Sequence, residues 1–353
     1  MTESSAAKAD ATFLPRADDY CCDLKIATGY DGATDVYLAH HVSSSLPLIV
    51  RRTNLEILSP ENLEELQNEL LVSGLLRHEC IMPYYVNFVV SHQLWVVLPF
   101  MEFGSCSDVI NAGFKDGLPE LLIAAILRDV VSALDYLHGL GYIHRSVTAR
   151  HIMIDRYGGV RLAGLRNVYA TIKDGTRERA AHHFPAHAVT YPWLAGEIFQ
   201  QNLAGYNQKS DIYSLGITAL EMAYGRVPYG DLTATQVMLL KLTADPPPLS
   251  DDYTPDDHPP FSTPFKQFVD ACLRTDPSER PTAAKLLSHP FFRQVRRQQS
   301  SRESPQSMIV DLLYPVLPMD PSKVAHKQGS PGTKENDLAD KMKSMTMETK
   351  WAF

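Results

Sequence analysis

Short apolar runs punctuated by Gly, Asp, Ser and Pro fill the first hundred residues: Cys22–Ala27, Val36–His41, Leu48–Arg52, Tyr85–Val90 and Leu94–Phe100. Runs of this length and spacing predict antiparallel strands. One stretch breaks the rhythm. In Pro60–Arg77, Leu63, Leu66, Leu70 and Leu75 recur at helical spacing, and Glu61, Glu64 and Glu65 sit near the start, where negative charge favours a helix. From Leu118 onward the pattern turns helical. Leu121–His138 carries a stripe of Leu122, Ile126, Val130, Leu134 and Leu137, and Ser210–Ala223, Thr233–Thr243, Pro264–Arg274 and Thr282–Leu287 follow. Strands first and helices afterwards predict an α+β chain of two lobes, residues 20–101 and 102–293. Residues 1–19 read as a flexible arm. Residues 294–353 read as a mostly disordered tail with one apolar island, Met308–Leu317, and a terminal Trp351-Ala352-Phe353. The seven prolines from Asp245 to Pro264 predict an ordered surface loop.

Composition narrows the classes. Of 353 residues, 44% are hydrophobic, enough to fill a core and to exclude a wholly disordered chain. The 33 Lys and Arg against 41 Asp and Glu leave a net charge of −8, which argues against nucleic acid as a partner. No apolar run approaches the roughly 20 residues of a membrane helix, and the first residues lack a secretory pattern, so no membrane association is expected. The five scattered cysteines read as reduced thiols, pointing to a cytoplasmic protein with nuclear access.

Four landmarks in order carry a resemblance: Leu94-Trp95-Val96-Val97-Leu98, His144-Arg145, Lys209-Ser210-Asp211-Ile212-Tyr213-Ser214-Leu215-Gly216, and Asp276 to Ala283 ending at His289-Pro290-Phe291-Phe292. Together they resemble a eukaryotic protein kinase over residues 20–293, which implies the bilobal kinase fold, with an antiparallel-sheet first lobe and a mainly helical second. The same alignment exposes departures at the chemistry. In the glycine-rich loop, Gly29 matches the first glycine, but Asp31 and Thr34 replace the others, and Asp31 and Asp35 would bring negative charge towards phosphate. Arg51 stands for the phosphate-binding lysine, an exchange that alters shape and reach; Glu69 is its expected helix partner. Ser146 stands for the catalytic Asp, Thr148 for the nearby Lys and His151 for the metal-binding Asn. Gly164-Leu165-Arg166 stands for the metal-binding triplet, so the oxygen donors that Mg²⁺ needs are absent. Loss of phosphotransfer follows, with no metal.

The resemblance also implies what is kept. ATP bound without metal would use Gly29, Val36, Arg51, Glu69, Leu98, Met101, Met153 and Arg166, with the Arg166 charge substituting for Mg²⁺; Ile49 is expected to crowd the base. Glu197 is expected to pair with Arg280, and Asp211 to cap its helix and bond back to the His144-Arg145 loop. The segment Arg166–Trp193 is expected to form a recognition surface. More specific stretches, Val50 to Glu56, Gly141 to Val147, Ala163 to Arg166 and Gln200 to Leu203, resemble the sterile-20-related kinase adaptors. That resemblance implies a pseudokinase that activates a Ser/Thr kinase of the liver-kinase-B type, assembled with a helical-repeat scaffold of the calcium-binding protein 39 family. Trp351 and Phe353 are the expected scaffold anchors, with Ala352 standing where the family has Glu. Two alternatives remain: an unconventional active kinase, and an inert kinase-fold module that binds no nucleotide.

Overall fold

The computed structural model describes residues 12–29, 32–173, 176–177, 188–201, 205–251, 259–299, 305–313, 316 and 318–320. Their contacts divide into two compact units. The first takes the chain up to Arg77, Met82–Glu102 and the return from Met319, whose N–H donates to the Glu102 carbonyl at 2.8 Å. The second takes His78–Ile81 and Phe103–Pro318. The short segment 78–81 crosses the boundary expected at residue 101 because Ile81 bridges Leu162 and the Cys80 carbonyl accepts from Leu162 N–H.

In the first unit, β1 (Tyr20–Gly29), β2 (Thr34–His41), β3 (Pro47–Asn54), β4 (Val86–Val90) and β5 (Gln93–Pro99) form one antiparallel sheet in the order β1-β2-β3-β5-β4. The alternation of side chains gives it two apolar faces. One buries Tyr20, Ala39, Leu48, Val50, Trp95 and Val97 beneath Phe13, Tyr85 and Phe88. Phe13 stacks on Tyr85 at 4.5 Å and the Tyr20 hydroxyl donates to the Leu14 carbonyl, so residues 12–19 of the expected flexible arm are packed onto this face.

Helix α1 (Pro60–Leu75) lies between β3 and β4 in sequence, with Ser59 as its N-cap and Pro60 in its first turn. Its buried residues are Leu66, Glu69, Val72 and Ser73, while Leu71 and Leu75 are about 70% exposed. The buried stripe therefore departs from the leucine pattern. A carboxylate is drawn inward by a partner on the sheet, and Leu75, on the far side of the helix from Leu66, lies outside the buried stripe.

The second unit is helical. Its first elements are β6 (Gly104–Ser105), α2 (Cys106–Gly113), α3 (Glu120–Gly139) and β7 (Tyr142–Ile143). Then come β8 (Ile152–Ile154), β9 (Val160–Leu162), β10 (Tyr169–Ala170) and α4 (Gly196–Gln200). The remaining helices are α5 (Lys209–Tyr224), α6 (Ala234–Thr243), α7 (Thr263–Cys272), α8 (Ala283–Leu286), α9 (Arg293–Gln299) and α10 (Pro305–Leu312). Helix α5 is buried along its whole length, as a helix apolar on every side must be. Gly216 lets it approach α7: a Cβ there would lie 2.9 Å from Cys272 and 2.7 Å from Leu273. Helix α2, absent from the periodicity, is fixed by a capping box between Ser105 and Asp108.

The expected tail needs correction at its start. Helices α9 and α10 pack on α3, with Met308, Ile309 and Leu313 almost fully buried, and Gln294 donates to Glu120. Residues 308–313 of the apolar island thus dock within the second unit. No described helix is long and apolar enough to cross a membrane.

Candidate functional site

In the first unit, strand register places Val36 opposite Arg51 and Arg51 opposite Val96. Beside that row lie Leu38, Ile49 and Leu98. All six share the second face of the sheet and all are buried, as are Met101 and the expected crowding residue Ile49. Arg51 is 1% exposed; its Nη1 donates to Glu69 Oε1 at 2.9 Å. The Tyr84 hydroxyl donates to the same oxygen, and the Tyr84 ring lies 5.5 Å from the guanidinium. The expected pair between β3 and α1 is thus formed, with a tyrosine that the sequence reading did not single out.

The loop between β1 and β2 is less damaged in charge than expected. Asp35 alternates with Val36 and so faces the other way; its carboxylate pairs with Lys25 at 2.6 Å. The expectation that Asp35 points at phosphate is therefore incorrect. Thr34 is turned inward, where its hydroxyl bonds Thr53 at 2.7 Å in a buried site. Gly29 ends β1 with room for a side chain, a Cβ meeting only Thr34 at 3.8 Å. Asp31 lies outside the described residues.

The second unit holds a cluster of its own. Asp211, fully buried on α5, accepts from the His144 and Arg145 backbone N–H groups and from His138 Nε2, each at 2.8 Å. Burial alone would raise its pKa, but the His138 bond and the nearby histidines outweigh it and hold the carboxyl below its usual range. Its loop-holding role is as expected, whereas no side-chain cap on α5 is formed. His144 is buried with Nε2 2.9 Å from the Ala163 carbonyl and Nδ1 accepting from Ser146 N–H. Burial pushes its pKa down to about 4, so it is neutral at pH 7. Arg145 adopts a left-handed backbone, φ 62°, held by its side-chain bond to the Asn167 carbonyl and by the Tyr169 ring.

This scaffold fixes the three positions where kinase chemistry would sit. His151 Nδ1 lies 2.7 Å from the Ser146 carbonyl and 3.0 Å from the Ser146 hydroxyl, with Thr148 Oγ1 at 3.4 Å. A Cβ on Gly164 would lie 2.6 Å from His151 Cγ and 2.7 Å from Nδ1, and Gly164 has φ +79°. The imidazole therefore occupies the space that any side chain at 164 would need. The departures at positions 151 and 164 are therefore in contact with each other. Among these positions the donors are a hydroxyl and a ring nitrogen, already engaged with each other, and no carboxylate; a hard cation such as Mg²⁺ does not fit them. Met153 is buried on β8 and pairs with Ser105, and Arg166 is half-buried in a short 3₁₀ turn, Leu165–Asn167.

Clamps surround this core. Arg280 meets Glu197 in two bonds, at 2.6 and 2.9 Å, and donates to the Arg274 carbonyl, as expected. Glu221 was not anticipated. Buried on α5, it accepts from Trp193 Nε1 at 2.9 Å and from Ala149 N–H, and burial pushes its pKa up to about 7. A single carboxylate in the otherwise apolar run Ile217–Tyr224 was the available signal. Of the segment expected as a recognition surface, residues 174–175 and 178–187 lie outside the described residues, as do Trp351 and Phe353.

A protein kinase domain model matches residues 25–292. The chain is 40% identical over 347 residues to STE20-related kinase adapter protein alpha of Mus musculus and to that of Homo sapiens, covering 88% of this chain and 79% of each relative. It is 38% identical over 336 residues to STE20-related kinase adapter protein beta of Homo sapiens, covering 84% of this chain and 79% of that protein.

Proposed function

We propose, from the premise that this chain belongs to the protein kinase family and within it to the STE20-related kinase adapter proteins, that it is a kinase-fold adapter without phosphotransfer activity. The observation that carries this is the His151 ring seated on Gly164, beside a hydroxyl at Ser146. Phosphoryl transfer needs a carboxylate to orient the attacking hydroxyl and metal ions to neutralise the developing charge. A serine cannot supply the first, and the ring excludes a carboxylate from position 164. Meanwhile Asp211, Glu197 and Arg280 hold the fold around the emptied centre.

An adapter of this kind acts by binding the active conformer of a client kinase better than the inactive one. The client read from the resemblance is a Ser/Thr kinase of the liver-kinase-B type, with a helical-repeat scaffold of the calcium-binding protein 39 family as third member and Trp351 and Phe353 as its anchors. The setting is the cytoplasm with nuclear access. Nucleotide enters as a structural ligand, ATP without Mg²⁺, with contacts assigned to Gly29, Val36, Leu98 and Met101 in the first unit and to Met153 and Arg166 in the second.

A second reading, a module that binds no nucleotide, is favoured by one observation: the Arg51 guanidinium is held by Glu69 and Tyr84 on a face that Ile49 helps to fill.

The decisive experiment adds the purified chain and scaffold to the client kinase and follows client activity. A rise that is present while the client's own catalytic Asp is intact and vanishes when that Asp is replaced supports the adapter. Phosphotransfer by this chain alone overturns it. Thermal unfolding with ATP in EDTA separates the two nucleotide readings: ATP at 100 times its dissociation constant stabilises by about 2.7 kcal/mol if it binds the folded state.

A further inference from the structure

Away from the kinase landmarks, strands β1 and β2 place three donor side chains together. Cys21 pairs with His40 across the strands, so the two side chains share one face. The register slips between Cys22 and Leu24, leaving Asp23 as an extra residue in β1. Such a bulge re-aims a side chain; here it brings the Asp23 carboxylate to His40, Oδ2 to Nδ1 at 2.8 Å. The Cys21 thiol is hydrogen-bonded to the same Asp23. Sulfur, ring nitrogen and carboxylate oxygen all lie within 4.8 Å of one another, the one such trio among the described residues. Cys21 is exposed, while Asp23 and His40 are half-buried. The opposite face of the same strands is the Tyr20–Trp95 core, so the sheet itself holds the trio's backbone in place.

We infer that Cys21, Asp23 and His40 form a Zn²⁺ site with an open fourth position. Zinc takes thiolate sulfur at about 2.3 Å and nitrogen or oxygen at about 2.0–2.2 Å in a tetrahedron, which sets its ligand atoms about 3.4 Å apart. The present separations need only side-chain rotation to reach that. The hydrogen bonds that now link thiol, carboxylate and imidazole are the contacts a metal replaces: one proton leaves the sulfur and the ion takes its place. A thiolate donor disfavours Mg²⁺ and Ca²⁺, and mixed sulfur, nitrogen and oxygen donors in a tetrahedron select zinc. Water fills the fourth position, because the face is solvent-exposed. This inference does not depend on the adapter reading, since no residue of the trio belongs to the kinase landmarks.

The test uses the full chain, stripped of metal, with Zn²⁺ titrated in competition with a chromophoric chelator. One ion per chain is expected. Replacing an outer-shell partner of a metal typically costs 10–100-fold in affinity. Cys21→Ser and His40→Ala, which remove ligands outright, should each weaken Zn²⁺ at least about 100-fold, and Asp23→Asn at least about tenfold. Cys22→Ser, on the core side of the strand, should leave affinity unchanged. Co²⁺ substituted for Zn²⁺ should show a sulfur-to-metal charge-transfer band in the wild type and none in Cys21→Ser. A readout that needs no variant guards against misfolding: Zn²⁺ should slow alkylation of Cys21 by iodoacetamide without slowing that of Cys80. Absence of binding at micromolar Zn²⁺, or binding that survives both Cys21→Ser and His40→Ala, overturns the site.

Discussion

Two groups of side chains on the same unit behave oppositely. The clamps, Asp211 on the His144-Arg145 loop and Arg280 on Glu197, keep the geometry expected of an active kinase. The chemical positions between them, Ser146, His151 and Gly164, have lost theirs and have repacked on each other. The clamps answer only to folding, because a buried charge left without its partner is costly whatever the protein does. On the adapter reading, the chemical positions no longer answer to catalysis and are free to fill space. A kinase fold can therefore outlive its reaction.

The largest break in this contrast should come from the clamps. Arg280→Ala leaves Glu197 facing an emptied site and should cost about 3–5 kcal/mol in urea unfolding. A loss below about 1 kcal/mol would mean the pair is dispensable, and the contrast would collapse.

Next comes pH. His144 has a folded pKa of about 4 against 6.5, so its contribution is present above pH 6.5 and is lost as pH falls from 6.5 to about 4. Glu221 is opposite. Its folded pKa is about 7 against 4.5, so its contribution is present below pH 4.5 and is lost as pH rises from 4.5 to about 7. Each amounts to about 3 kcal/mol, and across pH 4.5–6.5 the two slopes oppose. Glu221→Gln removes one of them. Its stability should then fall more steeply than the wild type's between pH 6.5 and 4.5, and parallel curves would refute the assignment.

A smaller effect tests whether His151 and Gly164 are one unit. Gly164→Asp should destabilise by about 2 kcal/mol, since a left-handed backbone alone costs about 1–3 kcal/mol in a non-glycine residue. Adding His151→Asn relieves the ring contact but not the backbone and should recover about 1 kcal/mol, a coupling measurable in a double-mutant cycle. Strict additivity would separate the two positions. Smallest is Asp35→Ala. Its ion pair with Lys25 is about 40% exposed, so the loss should stay below about 1 kcal/mol and shrink further in high salt.

The sequence made the sheet and the large helices legible because their signals are local. Alternation placed β2, β3 and β5, and the stripe from Leu122 to Leu137 placed α3. What it hid depends on partners distant in the chain. Glu69, a charged residue in a leucine-rich helix, turns inward because Arg51 meets it from β3, a partner 18 residues away in the chain. Asp35 follows a glycine-rich loop but pairs with Lys25 one strand away. Helix α9 carries too few apolar residues to announce itself, and the apolar island of α10 was legible without the α3 surface it packs on. At the site, each replaced position was readable singly. That His151 fills the space above Gly164 was not, because thirteen residues and two strands separate them.

The ring over Gly164 also acts as a ratchet on descent. A carboxylate placed at 164 would meet the imidazole, and an asparagine placed at 151 would face a glycine that offers no side-chain oxygen. Neither single step restores a metal site, so each is only a loss until the other follows. On the adapter reading proposed above, a chain held in that arrangement has no one-step road to catalysis, and its surfaces would change in the service of partners alone.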